Sequence, residues 1–246
     1  LLKALFVSQD AVPTIQVTFD PDDRTFRIFG RADEKQDWEL HASGRIVLVS
    51  SEIPFMDAVD LAEIRARVGG EVTHEQLYAE LGLMGYQFGP VFSQIEKVWC
   101  VPGESLAKIV APLSIIESAS GYRFHPAILD ACFQATHGTR EVRTEMVVPD
   151  FFFLPESIRR VQLYQTSIPQ ELWAHAKLRQ RDSKSILCDI FVYDVNGNRV
   201  ADVLGFRAAQ IEHKRSSDGT ETGLYKFRWE ELPLPEAPSE TNSVTV

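Results

Sequence analysis

Apolar and polar residues alternate along Thr14-Ile15-Gln16-Val17-Thr18-Phe19 and again along Thr25-Phe26-Arg27-Ile28-Phe29, with the turn cluster Asp20-Pro21-Asp22-Asp23 between them. A period of two is that of a half-buried strand, whose successive side chains point to opposite faces. Trp38 to Gly44 followed by Arg45 to Val49 predicts a further strand pair, so residues 1–50 read as an antiparallel meander with one buried face. The period then changes. Leu61, Ile64 and Val68 form one stripe of a short helix around Ala58 to Val68, inside a connecting segment from Ser50 to Gly70. Thr73 and Gln76 have capping-box spacing, and Leu77, Leu81 and Met84 make the apolar stripe of a second helix that ends at Gly85. Period-two patterns return at Glu96 to Val101, Ser105 to Val110, Thr144 to Val148, Phe151 to Leu154, Ser157 to Tyr164, Glu171 to Lys177, Ser185 to Tyr193 and Arg199 to Ile211, with Asn196-Gly197-Asn198 turning between the last two. From Glu212 the chain becomes polar, which puts a domain end near His213.

Within that run of strands lies one predicted helix with chemistry on it. Pro126 suits a first helical position and Gly138 a stop, which gives about three turns. At about 100° per residue, Ile128, Leu129, Cys132, Phe133 and Thr136 share one face, while Asp130, Gln134 and His137 line up on the other. Asp130 and Gln134 are neighbours at i,i+4. Alone, this stripe reads first as the solvated face of an amphipathic helix. A single helix inside a long antiparallel run predicts an α+β hotdog, in which the sheet can wrap the helix and bury even its polar side.

Composition narrows the function classes. With 246 residues, 44% of them apolar, the chain can bury a sizeable core, and its formal net charge of −10 argues against a nucleic-acid surface, which needs clustered Lys and Arg. Cys100, Cys132 and Cys188 are far apart, so neither a zinc site nor a disulfide framework is indicated and a reducing cytosol is the expected compartment. No apolar run reaches the ~18 residues of a membrane span. The chain opens at Leu1 without a Met, as an excised fragment would.

Three stretches carry a family resemblance in consistent order. His125-Pro126 with Asp130 and Gln134 resembles the second active-site motif of the dehydratase domains of modular polyketide synthases. Gly85-Tyr86-Gln87-Phe88-Gly89-Pro90-Val91-Phe92 before it and Leu154-Pro155-Glu156-Ser157-Ile158-Arg159-Arg160-Val161-Gln162-Leu163-Tyr164 after it resemble the same family. The resemblance implies a double hotdog: residues 1–50 closing the first hotdog, 51–70 a linker, 71–213 the second hotdog, and 214–246 a post-domain segment in which Leu224 to Trp229 opens the next domain. It implies Asp130 as catalytic acid and Gln134 as its orienting partner. Tyr86, Phe88, Gly89, Pro90, His125 and Pro126 would line the substrate channel, with Phe88 standing where many relatives carry Tyr. No cofactor is implied beyond the phosphopantetheine arm of an acyl carrier protein, which presents the substrate. Neighbouring synthase domains and a second copy of the chain are the other implied partners.

Removing water from a β-hydroxyacyl thioester requires a base for the α-proton and an acid for the leaving hydroxyl. A carboxyl group is such an acid at neutral pH only if burial raises its pKa, as a helix-in-sheet site would for Asp130. The family's base is a histidine in an H-x-x-x-G-x-x-x-x-P motif. His41, His74, His125, His137, His175 and His213 all fail to match it. A base lying upstream of Leu1 is therefore expected. Two readings stay open beside the dehydratase. One is an acyl-binding or scaffold domain without turnover, favoured by the missing base and by Glu156 where relatives often have an apolar residue. The other is a free-standing hotdog thioesterase.

Overall fold

The computed structural model describes residues 2, 3, 5, 12–32, 36–48, 56–118, 121–139, 151–165 and 167–212. The predicted strand at Thr144 to Val148, the domain end near His213 and the strand at Leu224 to Trp229 lie outside the described residues. Among the described residues there are two antiparallel sheets. The first orders β1 (Thr14–Asp20), β2 (Thr25–Arg31) and β3 (Glu39–Arg45) side by side. Asp20 and Asp23 close its first turn by accepting the amides of Asp22 and Thr25 at 3.0 and 2.8 Å. The strand expected at Arg45 to Val49 does not form in its described part: Thr25, the first residue of β2, pairs with Arg45, and Ile46, Val47 and Leu48 beyond it pair with no strand among the described residues, while Val49 lies outside them. The amide of Ile46 makes one last bond to the Arg24 carbonyl, and Ile46, Val47 and Leu48 are then exposed.

The second sheet has seven strands in the order β4-β5-β6-β8-β9-β10-β7. They are β4 (Glu71–Thr73), β5 (Ile95–Val101), β6 (Glu104–Val110), β7 (Phe151–Leu163), β8 (Glu171–Arg181), β9 (Ser185–Tyr193) and β10 (Arg199–Glu212). Pro102 and Gly103, the latter at φ +89°, make the tight β5–β6 turn where only glycine is comfortable. The stretches Phe151 to Leu154 and Ser157 to Tyr164 are one continuous edge strand rather than two. Pro155, which has no N–H to give, is tolerated there because β7 is an edge. Arg207 faces Ser157 while Ala208 faces Pro155, so Glu156 is the extra residue of a bulge. It reaches the surface and meets the Arg207 guanidinium at 2.7 Å, which explains a charge at this position.

Among the described residues four α-helices accompany the sheets: α1 (Leu61–Val68), α2 (His74–Leu83), α3 (Leu113–Ser118) and α4 (Pro126–Gln134). The Thr73 capping box starts α2 as its spacing predicts, with Thr73 N–H donating to Gln76 Oε1 at 3.0 Å. The short α3 has no sequence signature. Strand alternation separates two cores. Leu172, Ala174 and Ala176 of β8 face a cluster that holds Leu77 and Leu81 of α2 and Ala127, Ile128, Ala131 and Cys132 of α4. Trp173 points the other way, to Trp99, Leu106 and Tyr193 under α1. Small residues at i,i+4 spacing, Ala127 and Ala131 of α4 and Ala135 just beyond it, share this core with Ala107, Ala174 and Ala176 of the sheet. This lets the helix lie close on the sheet as the filling of a hotdog. Beyond Gln134 the helix tightens into a 3-10 turn over Ala135–Thr139, so Gly138 is not the stop. A Cβ there would stand 2.8 Å from Ser105 Cβ and 2.9 Å from Val98 Cγ1, and glycine is needed for close approach.

Candidate active site

The α4 helix begins with His125, whose Nδ1 accepts the Ala127 amide at 3.2 Å. That nitrogen must carry a lone pair, consistent with a pKa lowered by burial. His125 and Pro126 thus set where the helix starts and fix the phase that carries Asp130 and Gln134. The polar stripe is not a solvated face: Gln134 is only 3% exposed. It survives in the core because every polar group of its amide is used. Gln134 Nε2 donates to Asp130 Oδ2 at 2.7 Å and to the Phe92 carbonyl at 2.9 Å, and Gln134 Oε1 accepts the Tyr78 hydroxyl at 2.8 Å. Among the described residues the Asp130 carboxyl group makes no other hydrogen bond, which leaves Oδ1 unengaged. Burial raises the Asp130 pKa above its ordinary value, and the Gln134 hydrogen bond opposes that only in part.

The loop before β5 serves this cluster twice. Its aromatic residues form a wall, with Tyr86 and Phe88 stacked at 5.7 Å, Phe88 edge-on to Tyr78 at 6.0 Å, and Tyr86 against the His137 ring at 4.9 Å. Gly89 and Pro90 then start a 3-10 turn, Pro90–Phe92, that brings the Phe92 carbonyl onto Gln134. Asp130, Gln134, Tyr86 and Phe88 are therefore brought together, with Gly89 and Pro90 shaping the turn behind them. His137, which the sequence places two turns away from Asp130, joins the wall through Tyr86. Two participants escaped sequence reading. Tyr78 lies beside the apolar stripe of α2, and the Phe92 contact is made by backbone, which no residue pattern reports.

Cys132 is fully buried and its thiol is pushed far up by desolvation, so it is packing and not a nucleophile. His175 faces the opposite side of the sheet and binds Glu104 Oε1 at 2.6 Å. There it borders a crevice of about 460 Å³ with Glu63, Arg67, Lys177 and Arg199, none of them near Asp130. The cations of that crevice are paired, Arg67 and Lys177 with Glu104 and Arg199 with Asp202. Among the described residues no helix is long and apolar enough to cross a membrane.

The family model described as polyketide synthase dehydratase N-terminal domain matches residues 56–218. The highly reducing polyketide synthase stpks1 of Strobilurus tenacellus is 31% identical over 206 residues, covering 80% of this chain and 7% of that protein. Polyketide synthase GfsE of Streptomyces halstedii is 28% identical over 235 residues, covering 87% of this chain and 6% of that protein. The chain thus spans less than a tenth of the length of these relatives. Among solved structures, the dehydratase domain from the CurJ module of curacin polyketide synthase superposes with a TM-score of 0.71 at 27% identity, covering 85% of this chain and 71% of that one. The CurK dehydratase, with a TM-score of 0.69 at 25% identity over the same shares, is also solved as two inactive mutants, one changing a histidine to phenylalanine and one an aspartate to asparagine. With a matched model over most of its length and a hotdog built around Asp130 and Gln134, the chain belongs to the polyketide synthase dehydratase family.

Proposed function

We propose that the chain takes part in removing water from a β-hydroxyacyl thioester carried on the phosphopantetheine of an acyl carrier protein, with Asp130 as general acid. The observation that carries this reading is a carboxyl group raised in pKa by burial and held by a buried amide on one oxygen only. In the proposed step the base takes the α-proton, whose bonding electrons form the double bond. The C–O bond at the β-carbon breaks, and the hydroxyl leaves as water with the proton of Asp130. Tyr86 and Phe88 would flank the acyl chain, and Gly89 and Pro90 fix the loop that presents them.

The α-proton base is proposed to be a histidine from outside residues 1–246. Each histidine in the described residues is already engaged. His41 donates to the Lys3 carbonyl, His74 to the Ile95 carbonyl, His125 caps α4, His137 packs on Tyr86 and His175 binds Glu104. The inactive CurK mutants at one histidine and one aspartate support a base and an acid of these two types. Neighbouring synthase domains, an acyl carrier protein and a second copy of the chain are the proposed partners.

The test is the protein expressed with its native upstream coding sequence, given β-hydroxyacyl thioesters of several lengths and both β-configurations and followed by mass spectrometry. Water loss that falls by about a hundredfold or more in Asp130→Asn supports the reading. A folded protein that releases no water from any of them overturns it in favour of an acyl-binding or scaffold domain.

A further inference from the structure

We propose that Tyr78 is a positioning residue for the acid: through Gln134 it sets which oxygen of Asp130 carries the transferable proton. This rests on the dehydratase reading and adds a residue to it.

Two backbone groups fix the polarity of the relay. A carbonyl can only accept, so the Gln134 atom 2.9 Å from the Phe92 oxygen is the amide nitrogen. A backbone N–H can only donate, so Ile95, at 3.2 Å, occupies a lone pair of the Tyr78 hydroxyl and turns its proton away. That proton has Gln134 Oε1 at 2.8 Å and the Phe92 carbonyl at 3.5 Å, and the shorter contact takes it. The Phe92 carbonyl and the Tyr78 hydroxyl thus address opposite ends of one amide and require the same orientation. Helix α2 grips the Ile95 peptide on both sides to hold this in place. His74 Nδ1 donates to its carbonyl at 2.8 Å while Tyr78, one turn on, accepts its amide, and the two rings lean together at 4.7 Å.

The consequence falls on Asp130. Its Oδ2 receives an N–H from Gln134 at 2.7 Å, and the unprotonated oxygen of a carboxyl group is the better acceptor. The proton of the neutral acid therefore resides on Oδ1. A reversed amide would present Gln134 Oε1 to Oδ2 and draw the proton to that side. The titratable groups that couple to Asp130 among the described residues are Tyr78 and Cys132. Tyr78 is pushed up to about 12 by burial and Cys132 is pushed up as well, so both are neutral near pH 7 and place no charge beside the relay.

The experiment follows the Asp130 carboxyl carbon by NMR through a pH titration, beside steady-state dehydration by the protein with its upstream sequence. In Tyr78→Phe the amide loses its lock, and the Asp130 midpoint is expected to rise by about half a pH unit or more. The kcat should fall about tenfold, with KM within about twofold and the alkaline limb of the kcat profile displaced upward with the midpoint. Incorporating 3-fluorotyrosine at position 78 strengthens the donor without changing its shape and moves the midpoint downward; if Tyr78→Phe fails to fold, the sign of this shift decides. An unchanged midpoint in folded Tyr78→Phe, or a loss confined to KM, overturns the proposal. Absence of turnover in every protein counts against the dehydratase reading alone, and the midpoint still decides the role of Tyr78.

Discussion

The hydroxyl of Tyr86 satisfies both backbone groups of Phe153, donating to its carbonyl and accepting from its amide, each at 2.8 Å. One side chain thereby ties the aromatic wall to the first residues of β7, on the side of the strand that faces away from β10. Removing the hydroxyl withdraws a partner from two main-chain groups, which costs about 1–3 kcal/mol where such groups are buried. Tyr86→Phe should lower the stability by about that much in urea denaturation, and the Phe153 amide should exchange faster with deuterium.

Asp130 makes a prediction about stability with a definite sign. Its pKa is raised in the folded chain, so its neutral form is preferred there. The contribution is present below the ordinary value of 3.8 and is lost as pH rises through the folded pKa. Each unit of elevation corresponds to about 1.4 kcal/mol held against the ionised form. Asp130→Asn should therefore be more stable than the native chain at pH 7 and indistinguishable from it near about pH 3, as read by thermal melts across that range. An acid kept at the expense of the fold is what a working group looks like, and this comparison separates it from a carboxylate retained for stability.

Gly138→Ala tests why the helix changes pitch. The new methyl would meet Ser105 Cβ at 2.8 Å, Val98 Cγ1 at 2.9 Å and Cys100 Cβ at 3.3 Å, contacts that the sheet must give way to relieve. A loss of about 1–3 kcal/mol is expected in chemical denaturation. If Gly138 merely ended a helix in solvent, alanine would be close to neutral.

Glu104 is held down at about 2, first by the Arg67 guanidinium and then by His175. Its folded pKa lies below the ordinary 4.5, so its stabilisation is present above that value and is lost as pH falls toward 2. The gap in melting temperature between the native chain and Glu104→Gln should be open at pH 7 and closed by about pH 2. Because Glu104 links Arg67 of α1 to His175 of β8, the same variant should increase amide exchange in α1.

Much of this was legible from local chemistry. Thr73 and Gln76 announce a helix start because a capping box is a contact between residues three apart. Asp130 and Gln134 are paired because i,i+4 residues on a helix must be neighbours. The strands from Glu171 to Glu212 follow from alternation alone. What escaped depends on the rest of the chain. Whether the stripe of α4 faces water or protein is decided by Phe92 and Tyr78, which are 42 and 56 residues away from Gln134. Gly138 resembles a helix stop because glycine is common there, and only the positions of Val98 and Ser105 reveal the closer constraint. Tyr78 has no pattern of its own: on α2 it sits next to Leu77, and its hydroxyl acquires meaning only from Gln134 across the core.

The Pro90–Phe92 turn ends the loop that forms the aromatic wall, and its last carbonyl holds the amide that holds the acid. Pocket shape and acid strength are therefore written into one short piece of backbone. Redesigning the wall would therefore also disturb the Asp130 carboxyl, and under the proposed function a loop change made to admit another acyl chain has to be paired with changes at Tyr78 or Gln134 that restore the setting of the acid.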